Sequence, residues 1–282
     1  MRRILKWIGI VVGGLVGLIL IVAVVLSTLG RNRLTNAPEV AVQTVALSGD
    51  AAHGKHLVEN VAACVACHGK QLEGGPFIDE PPIGYVPAPN LTSTHIDYTD
   101  EDWARAIRHG VAGDGRVMAA MPSTHYQNMS DQDLADIIAY MKTVPPAADE
   151  YGVRQLSFTG NIIFGNMAFG TLPVNVIDHE SVGGRVAVAE SAEYGEYLAT
   201  VGSCKECHGP ALDGVTLDPN APQGPTLASV AGWSDAEFIT AMRTGVTPSG
   251  KQLSEEMPFS YYAGQTDEEL RAMWMFLRTL DG

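Results

Sequence analysis

Two runs in this chain place a pair of thiols and an imidazole at the same spacing: Cys64-Val65-Ala66-Cys67-His68 and Cys204-Lys205-Glu206-Cys207-His208. Two cysteines about one helical turn apart can form thioether bonds to the two vinyl groups of one porphyrin. The histidine next in sequence then points its imidazole at the iron as a proximal ligand. Taken singly, each run could instead be half of a zinc site or a redox dithiol. Zinc would want further Cys or His near each pair, and the second run has none, because no histidine follows His208. These are the only cysteines in the chain, and the trailing histidines argue against reading them as disulfides. The expectation is two covalently bound haem c groups.

The sixth iron ligand follows by elimination. In the second half only Met242, Met257, Met273 and Met275 remain. Met242 falls in an expected helix, and Met273 and Met275 fall in the last helix. Met257 lies in a loop, with Pro258 after it to help fix the backbone. The matching position in the first half is Met121, followed by Pro122, and its rivals are Met118, Met129, His125 and His109. The expected metal ligands are therefore His68 with Met121 and His208 with Met257. The thioether raises the potential, and histidine with methionine fills both axial positions. No catalytic residue is expected, and the iron is suited to outer-sphere electron transfer.

These residues recur because the chain repeats itself. GKHLVENVAACVACHG (54–69) matches GEYLATVGSCKECHG (195–209), and APNL (88–91) matches GPTL (224–227). YTDEDWARAIRHGV (98–111) answers WSDAEFITAMRTGV (233–246), and the segments 121–144 and 257–280 answer one another. The domains expected are 49–147 and 190–282. Ser234 with Glu237 and Thr266 with Glu269 have capping-box spacing, and Thr99 with Asp102 and Ser130 with Asp133 stand in the equivalent places. Gly110 and Gly245 stop the middle helices. Leu134, Ile137, Ile138 and Met141, and likewise Leu270, Met273, Trp274 and Leu277, form apolar helical stripes. Strand-like alternation is scarce, so the fold class expected is all-α: one amino-terminal transmembrane helix and two tandem haem domains with long loops.

Other side chains carry weaker signals. Arg108 and Arg243 share a repeat position and either pair with haem propionates or lie on the surface. His53, His56, His95 and His179 have no repeat partner and read as surface or loop residues. Tyr126 and Tyr262 are expected near the haem edge.

Trp7 to Leu29 carries no charge. A helix over that run covers roughly 34 Å, enough for a bilayer core of about 30 Å. The run is longer than the apolar part of a cleaved signal peptide, and no Ala-x-Ala occurs in the first 50 residues, so residues 1–33 are expected as a retained anchor. Gly9, Gly13 and Gly17 share one face and could admit a partner's transmembrane helix. Residues 1–33 carry five basic and no acidic side chains, so the formal charge of −14 becomes −19 for the remainder. That acidity argues against nucleic acid and fits a partner with a basic docking face. The connector, 148–189, has an apolar middle, Asn161 to Val176, too broken by Gly, Asn and Pro to span a membrane. It either wraps over the domains or touches a partner.

On the Cys-x-x-Cys-His-Gly runs, the Met-Pro loops and the closing helices, the chain resembles class I c-type cytochromes twice over, across about two thirds of its length. It looks most like the multi-domain cytochromes that accompany periplasmic dehydrogenases of alcohols, aldehydes and sugars. Those subunits typically carry three haem domains and often a carboxy-terminal anchor, whereas this chain has two domains and an amino-terminal apolar segment. The resemblance implies three main helices round each haem with one haem edge exposed. It also implies an electron carrier on the outer face of a bacterial cytoplasmic membrane, linking a membrane complex or periplasmic dehydrogenase to an acceptor such as a terminal oxidase. A dihaem peroxidase and a mainly structural subunit of a respiratory or photosynthetic complex are the competing readings.

Overall fold

The uncharged amino-terminal run becomes a single helix, α1 (Arg2–Thr35), with the side chains over most of its length exposed. It is the one described helix long and apolar enough to cross a membrane. The computed structural model describes residues 2–42, 48–92, 97–148, 151–167, 172–180, 183–184, 186–216 and 223–280. His95 and the middle of the connector, 168–171, lie outside the described residues.

The first repeat contains α2 (Ala51–His56), which runs on through a π turn (Leu57–Val61) to α3 (Val65–His68). A hairpin of β1 (Gly75–Glu80) and β2 (Gly84–Ala88) follows, then α4 (Asp100–His109), α5 (Ser123–Tyr126) and α6 (Asp131–Met141). The connector supplies β3 (Gln155–Leu156), α7 (Phe158–Ile162) with a π turn (Ile163–Met167), and α8 (Pro173–Val176). The second repeat is α9 (Ala192–Val201), α10 (Cys204–His208), a 3₁₀ segment (Leu227–Gly232), α11 (Asp235–Thr244), α12 (Phe259–Tyr262) and α13 (Asp267–Leu277). The molecule is helical, as its sequence periodicity implies. The three short strands form one small antiparallel sheet in the order β1-β2-β3, which straps the connector to the first repeat.

Helix boundaries fall where local chemistry sets them. Thr99, Ser234 and Thr266 each close a full capping box with the residue three positions on. Gly110 (φ 67°) and Gly245 (φ 72°) end α4 and α11 in the left-handed conformation, which glycine adopts without a Cβ clash. In each repeat the first and last helices cross at a glycine. A Cβ on Gly54 would stand 1.9 Å from Asp136 O, and one on the equivalent Gly195 would stand 1.9 Å from Ala272 O. The apolar stripes of α6 and α13 pack into that crossing, and one continuous buried cluster runs through both repeats.

A second, smaller core joins Leu34 of α1 to Val86, Val111, Val117, Phe164, Leu172 and Val174. The end of α1 is thus built into the first repeat. Val117 N donates to Leu34 O at 3.1 Å, Ala37 N to Gly115 O at 2.9 Å, and the Arg154 guanidinium to Leu34 O at 2.9 Å. Of the two readings open to it on sequence grounds the connector takes the first: it wraps the first repeat, and its α7 and π turn lie along α1. Gly30, where a Cβ would meet Asn161 O at 1.9 Å, is the close-packing glycine of α1. Gly9, Gly13 and Gly17 have no such neighbour among the described residues.

The candidate haem sites

Each Cys-x-x-Cys-His run folds as one helical turn, α3 or α10, so the two cysteines stand on the same side and the histidine follows directly. His68 N donates to Cys64 O at 3.0 Å. The turn is entered through a left-handed residue, Ala63 (φ 49°) or Ser203 (φ 59°), and left through Gly69 (φ 80°) or Gly209 (φ 84°). Four further backbone bonds repeat between the units: Gly74 N to His68 O and Gly214 N to His208 O, then Leu91 N to Leu72 O and Leu227 N to Leu212 O. None of the four cysteines is in a disulfide. Burial pushes the Cys64 thiol up to about 12 and the Cys204 thiol up to about 11, so both remain protonated. A protonated thiol can add across a vinyl double bond, forming C–S and C–H bonds with no oxidant.

The histidines are oriented identically. His68 Nδ1 lies 2.8 Å from Pro89 O, and His208 Nδ1 lies 2.7 Å from Pro225 O. A carbonyl only accepts, so Nδ1 carries the hydrogen in both rings and Nε2 keeps its lone pair for a metal. Burial pushes the His68 imidazole below its ordinary value, against the opposing effect of the Pro89 carbonyl. That leaves it in the neutral form a metal needs. Pro89 and Pro225 are functional residues not singled out from the sequence, although the match of APNL with GPTL marks them. Gly224 is another: a Cβ there would meet the His208 ring at 2.6–3.0 Å. The first unit has Ala88 at that place.

Opposite the second motif, a cavity of about 100 Å³ is lined by Cys204, Cys207, His208, Met257, Pro258 and Tyr262, among others. Met257 therefore shares one hollow with both thiols and the imidazole. Met121 is partly buried and, like Cys64, packs against the core cluster that contains Tyr126. The local backbone is the same in both, with Ser123 N bonded to Met121 O and Phe259 N to Met257 O, each at 2.8 Å. The rivals are engaged elsewhere. Met129, Met242 and Met273 are buried in the core, His125 bonds Glu206 at 2.8 Å, and His109 is buried against His179 at 2.8 Å. Burial, with His179 and the neighbouring arginines, pushes His109 down to about 4. Met118 and Met275 are partly buried.

The two tyrosines brace the motifs. Tyr126 Oη donates to Ala62 O at 2.9 Å and Tyr262 Oη donates to Gly202 O at 2.8 Å, in each case two residues before the first cysteine. Burial pushes both phenols up, and the thiols of both motifs add to the shift of Tyr262. Its short helix, α12, also touches the π turn of the first repeat. Arg108 and Arg243 are committed to protein. Arg108 is buried and bonds Met129 O and Asp131, and Arg243 bonds Ala263 O and Asp267. Each ties α4 or α11 to the start of the closing helix. His53 bonds Asp136 at 2.7 Å and His56 bonds Glu269 at 2.9 Å, placing His56 in the contact between units instead of on the surface.

A helical unit with Cys-x-x-Cys-His at its entry and a metal-ready imidazole behind it is the framework of a c-type cytochrome, here built twice. The chain belongs to the cytochrome c family, whose model, Cytochrome c, matches residues 51–145 and 192–281. It is similar to the fructose dehydrogenase cytochrome subunit of Gluconobacter japonicus, at 28% identity over 227 residues, covering 68% of this chain and 44% of that one. It is also similar to the alcohol dehydrogenase (quinone) cytochrome c subunit of Gluconobacter oxydans, at 24% identity over 306 residues, covering 90% and 63%. A diheme cytochrome c-type protein of Cereibacter sphaeroides is 25% identical over 269 residues, covering 82% of this chain and 86% of the relative. This chain spans about half the length of the two dehydrogenase subunits and most of the diheme protein. It carries two covalently bound haem c groups.

Proposed function

We propose that this chain is a membrane-anchored dihaem electron carrier, with haem domains at 49–147 and 190–282. Cys64 and Cys67 hold one haem through thioether bonds and Cys204 and Cys207 hold the other. His68 with Met121 and His208 with Met257 are the axial ligands. The observation that carries this reading is the paired His-Nδ1 to Pro-carbonyl bond, which leaves one imidazole nitrogen per unit for iron. When bound, haem c supplies a one-electron couple. The protein's part is to fix the imidazole, to present a thioether that favours the ferrous state, and to keep water off the metal.

The chain passes electrons from a membrane complex or periplasmic dehydrogenase to a downstream acceptor such as a terminal oxidase. The printed descriptions of two relatives, cytochrome subunits of fructose and alcohol dehydrogenases, support a dehydrogenase as donor. The acidic charge of the domains supports partners with basic docking faces. Residues 1–33 anchor the chain in the bacterial cytoplasmic membrane as a single pass, with the haem domains on the periplasmic side. The open face at Gly9, Gly13 and Gly17 receives a partner's helix. Replacing all three with Leu and finding co-purification unchanged removes that contact.

Potentiometric titration of the matured protein, followed in the visible spectrum, tests the whole reading. Two reversible low-spin waves without a peroxide response are expected. A high-spin haem, or one very low-potential wave with rapid peroxide reaction, overturns a methionine assignment and favours a dihaem peroxidase.

A further inference from the structure

From Leu156 to Ile177 the chain contains no Asp, Glu, Lys, Arg or His, although everything beyond residue 33 carries a formal charge of −19. The described part of this stretch sits against the outer end of α1. Ser27 Oγ donates to Phe158 O at 3.0 Å, and Asn166 Nδ2 donates to Leu26 O at 3.0 Å. Both anchor residues lie inside the uncharged run that ends at Leu29. At about 1.5 Å per residue, Leu26 stands roughly 4–5 Å below Leu29 along the helix. Seven residues beyond Leu26, Arg33 bonds Asn166 Oδ1 at 2.8 Å, so the same turn reaches from the apolar run up to the charged residues just beyond it.

We propose that Leu156–Met167 lies in the boundary between headgroups and acyl chains of the outer leaflet, beside α1, as a segment that enters the membrane surface without crossing it. The proposal rests on the reading of α1 as a membrane anchor. Three features select lipid as what covers it. Phe158 is 51% exposed, and the neighbouring anchor residues Val24, Val25 and Leu29 are exposed at the same level. Phe158, tied through its carbonyl to Ser27 of the same helix, therefore needs the same kind of cover as those apolar side chains. No ionisable side chain in the stretch would have to be desolvated. The backbone is also prepared for low polarity: Ser157 N donates to Ile83 O, Ser157 Oγ accepts from Gly160 N, and α7 and its π turn satisfy the amides that follow. Interfacial segments of this kind bury an apolar face about 5–10 Å into the boundary, which matches the depth of Leu26.

The test uses the full-length holoprotein in phospholipid nanodiscs. With the motif cysteines bonded to haem, Phe158→Cys, Val188→Cys and Val24→Cys each offer one thiol for a nitroxide spin label. Ile162→Cys serves as a second position in the segment, and an unchanged haem spectrum verifies folding. With the haems reduced and diamagnetic, collision with oxygen is compared with collision with a water-soluble nickel chelate. The label at 158 is expected to prefer oxygen, with a ratio several-fold above that at 188 and on the side of 24. If 158 behaves like 188 while 24 stays oxygen-accessible, the interfacial segment is wrong and the anchor stands. If 24 is itself open to the chelate, the anchor reading fails and takes the segment with it. A label at 158 shielded from both reagents while 24 is not means that a protein surface covers the segment, which overturns lipid as its occupant.

Discussion

The hydroxyl of Tyr197 stands inside the capping box that opens α6, accepting from Ser130 N at 3.0 Å and donating to Asp133. Ser130 Oγ still receives Asp133 N, but the return bond from carboxylate to cap runs through a residue of the other domain. The contact has a counterpart across the interface. Tyr197 and His56 occupy the same place in the repeat, as do Asp133 and Glu269, and His56 bonds Glu269 at 2.9 Å. The two haem units therefore meet face to face with a rough two-fold relation, each placing a side chain of its first helix on the capping residue of the other's last helix.

Tyr197→Phe should cost about 1–3 kcal/mol, because it strips a buried carboxylate and a buried amide of one partner at once. Denaturant unfolding of the holoprotein reads the loss. The two haem waves should stay in place, since no ligand is touched.

The partner contact is pH-sensitive. Hydrogen bonding to Glu269 raises the His56 imidazole above its ordinary value, with burial opposing. Burial pushes Glu269 up, but His56 and the Thr266 amide outweigh it and hold the carboxyl below its ordinary value. A raised histidine contributes stability that is complete below about pH 6.5 and disappears as pH climbs through the raised value. A depressed carboxyl contributes above about pH 4.3 and fails as pH falls through the depressed value. The bond is strongest in weak acid and weakens on the alkaline side. Glu269→Gln should lower stability by about 1–3 kcal/mol in weak acid and flatten the decline toward alkaline pH. An unchanged slope of unfolding midpoint against pH would count against the pair.

Gly224→Ala should disturb one haem and spare the other. The new methyl would press on the His208 ring, tilting it off Pro225 O. In a redox titration one wave should shift or lose amplitude while the first domain's wave holds. Two unshifted waves would show that the ring has room to give.

Met257→Ala should lower the potential of the second haem by on the order of 0.1 V, within the range of about 0.8 V that axial ligands span. That haem should also become high-spin or bind added imidazole. Met121→Ala should do the same to the first haem. If either variant leaves its wave and spin state unaltered, the ligand lies elsewhere.

Gln265 is buried in the second domain, and among the described residues neither of its amide atoms has a hydrogen-bond partner. The same repeat position in the first domain is Met129, which is fully buried in the core. Gln265→Met should therefore raise stability by about 1–3 kcal/mol, measured as a higher denaturant midpoint with the same slope.

The haem attachment runs were legible because covalent chemistry dictates their spacing, and the helix ends because capping is local. Met257 stood out once its rivals fell on helix interiors, and the repeat then pointed to Met121. The contact between domains was hidden because equivalent positions use unlike side chains, His56 in one and Tyr197 in the other. The β1–β2 hairpin was missed because its prolines break the alternation that marks a strand. Gly30 escaped notice because it stands outside the every-fourth-residue series of glycines, and its partner, the connector, has no period that would place it against a helix.

On the proposed anchoring, the splice between Leu34, Arg154 and the loop at Val117 makes α1 a stalk and not a leash. A domain on a flexible tether sweeps a volume and carries its charge to distant sites, at the cost of arriving in any orientation. A domain fused to its membrane helix trades that reach for a fixed height and a fixed heading above the bilayer. Partners must come to it, and they always find the same face, so encounter is governed by lateral diffusion in the membrane and by the geometry of neighbours within it.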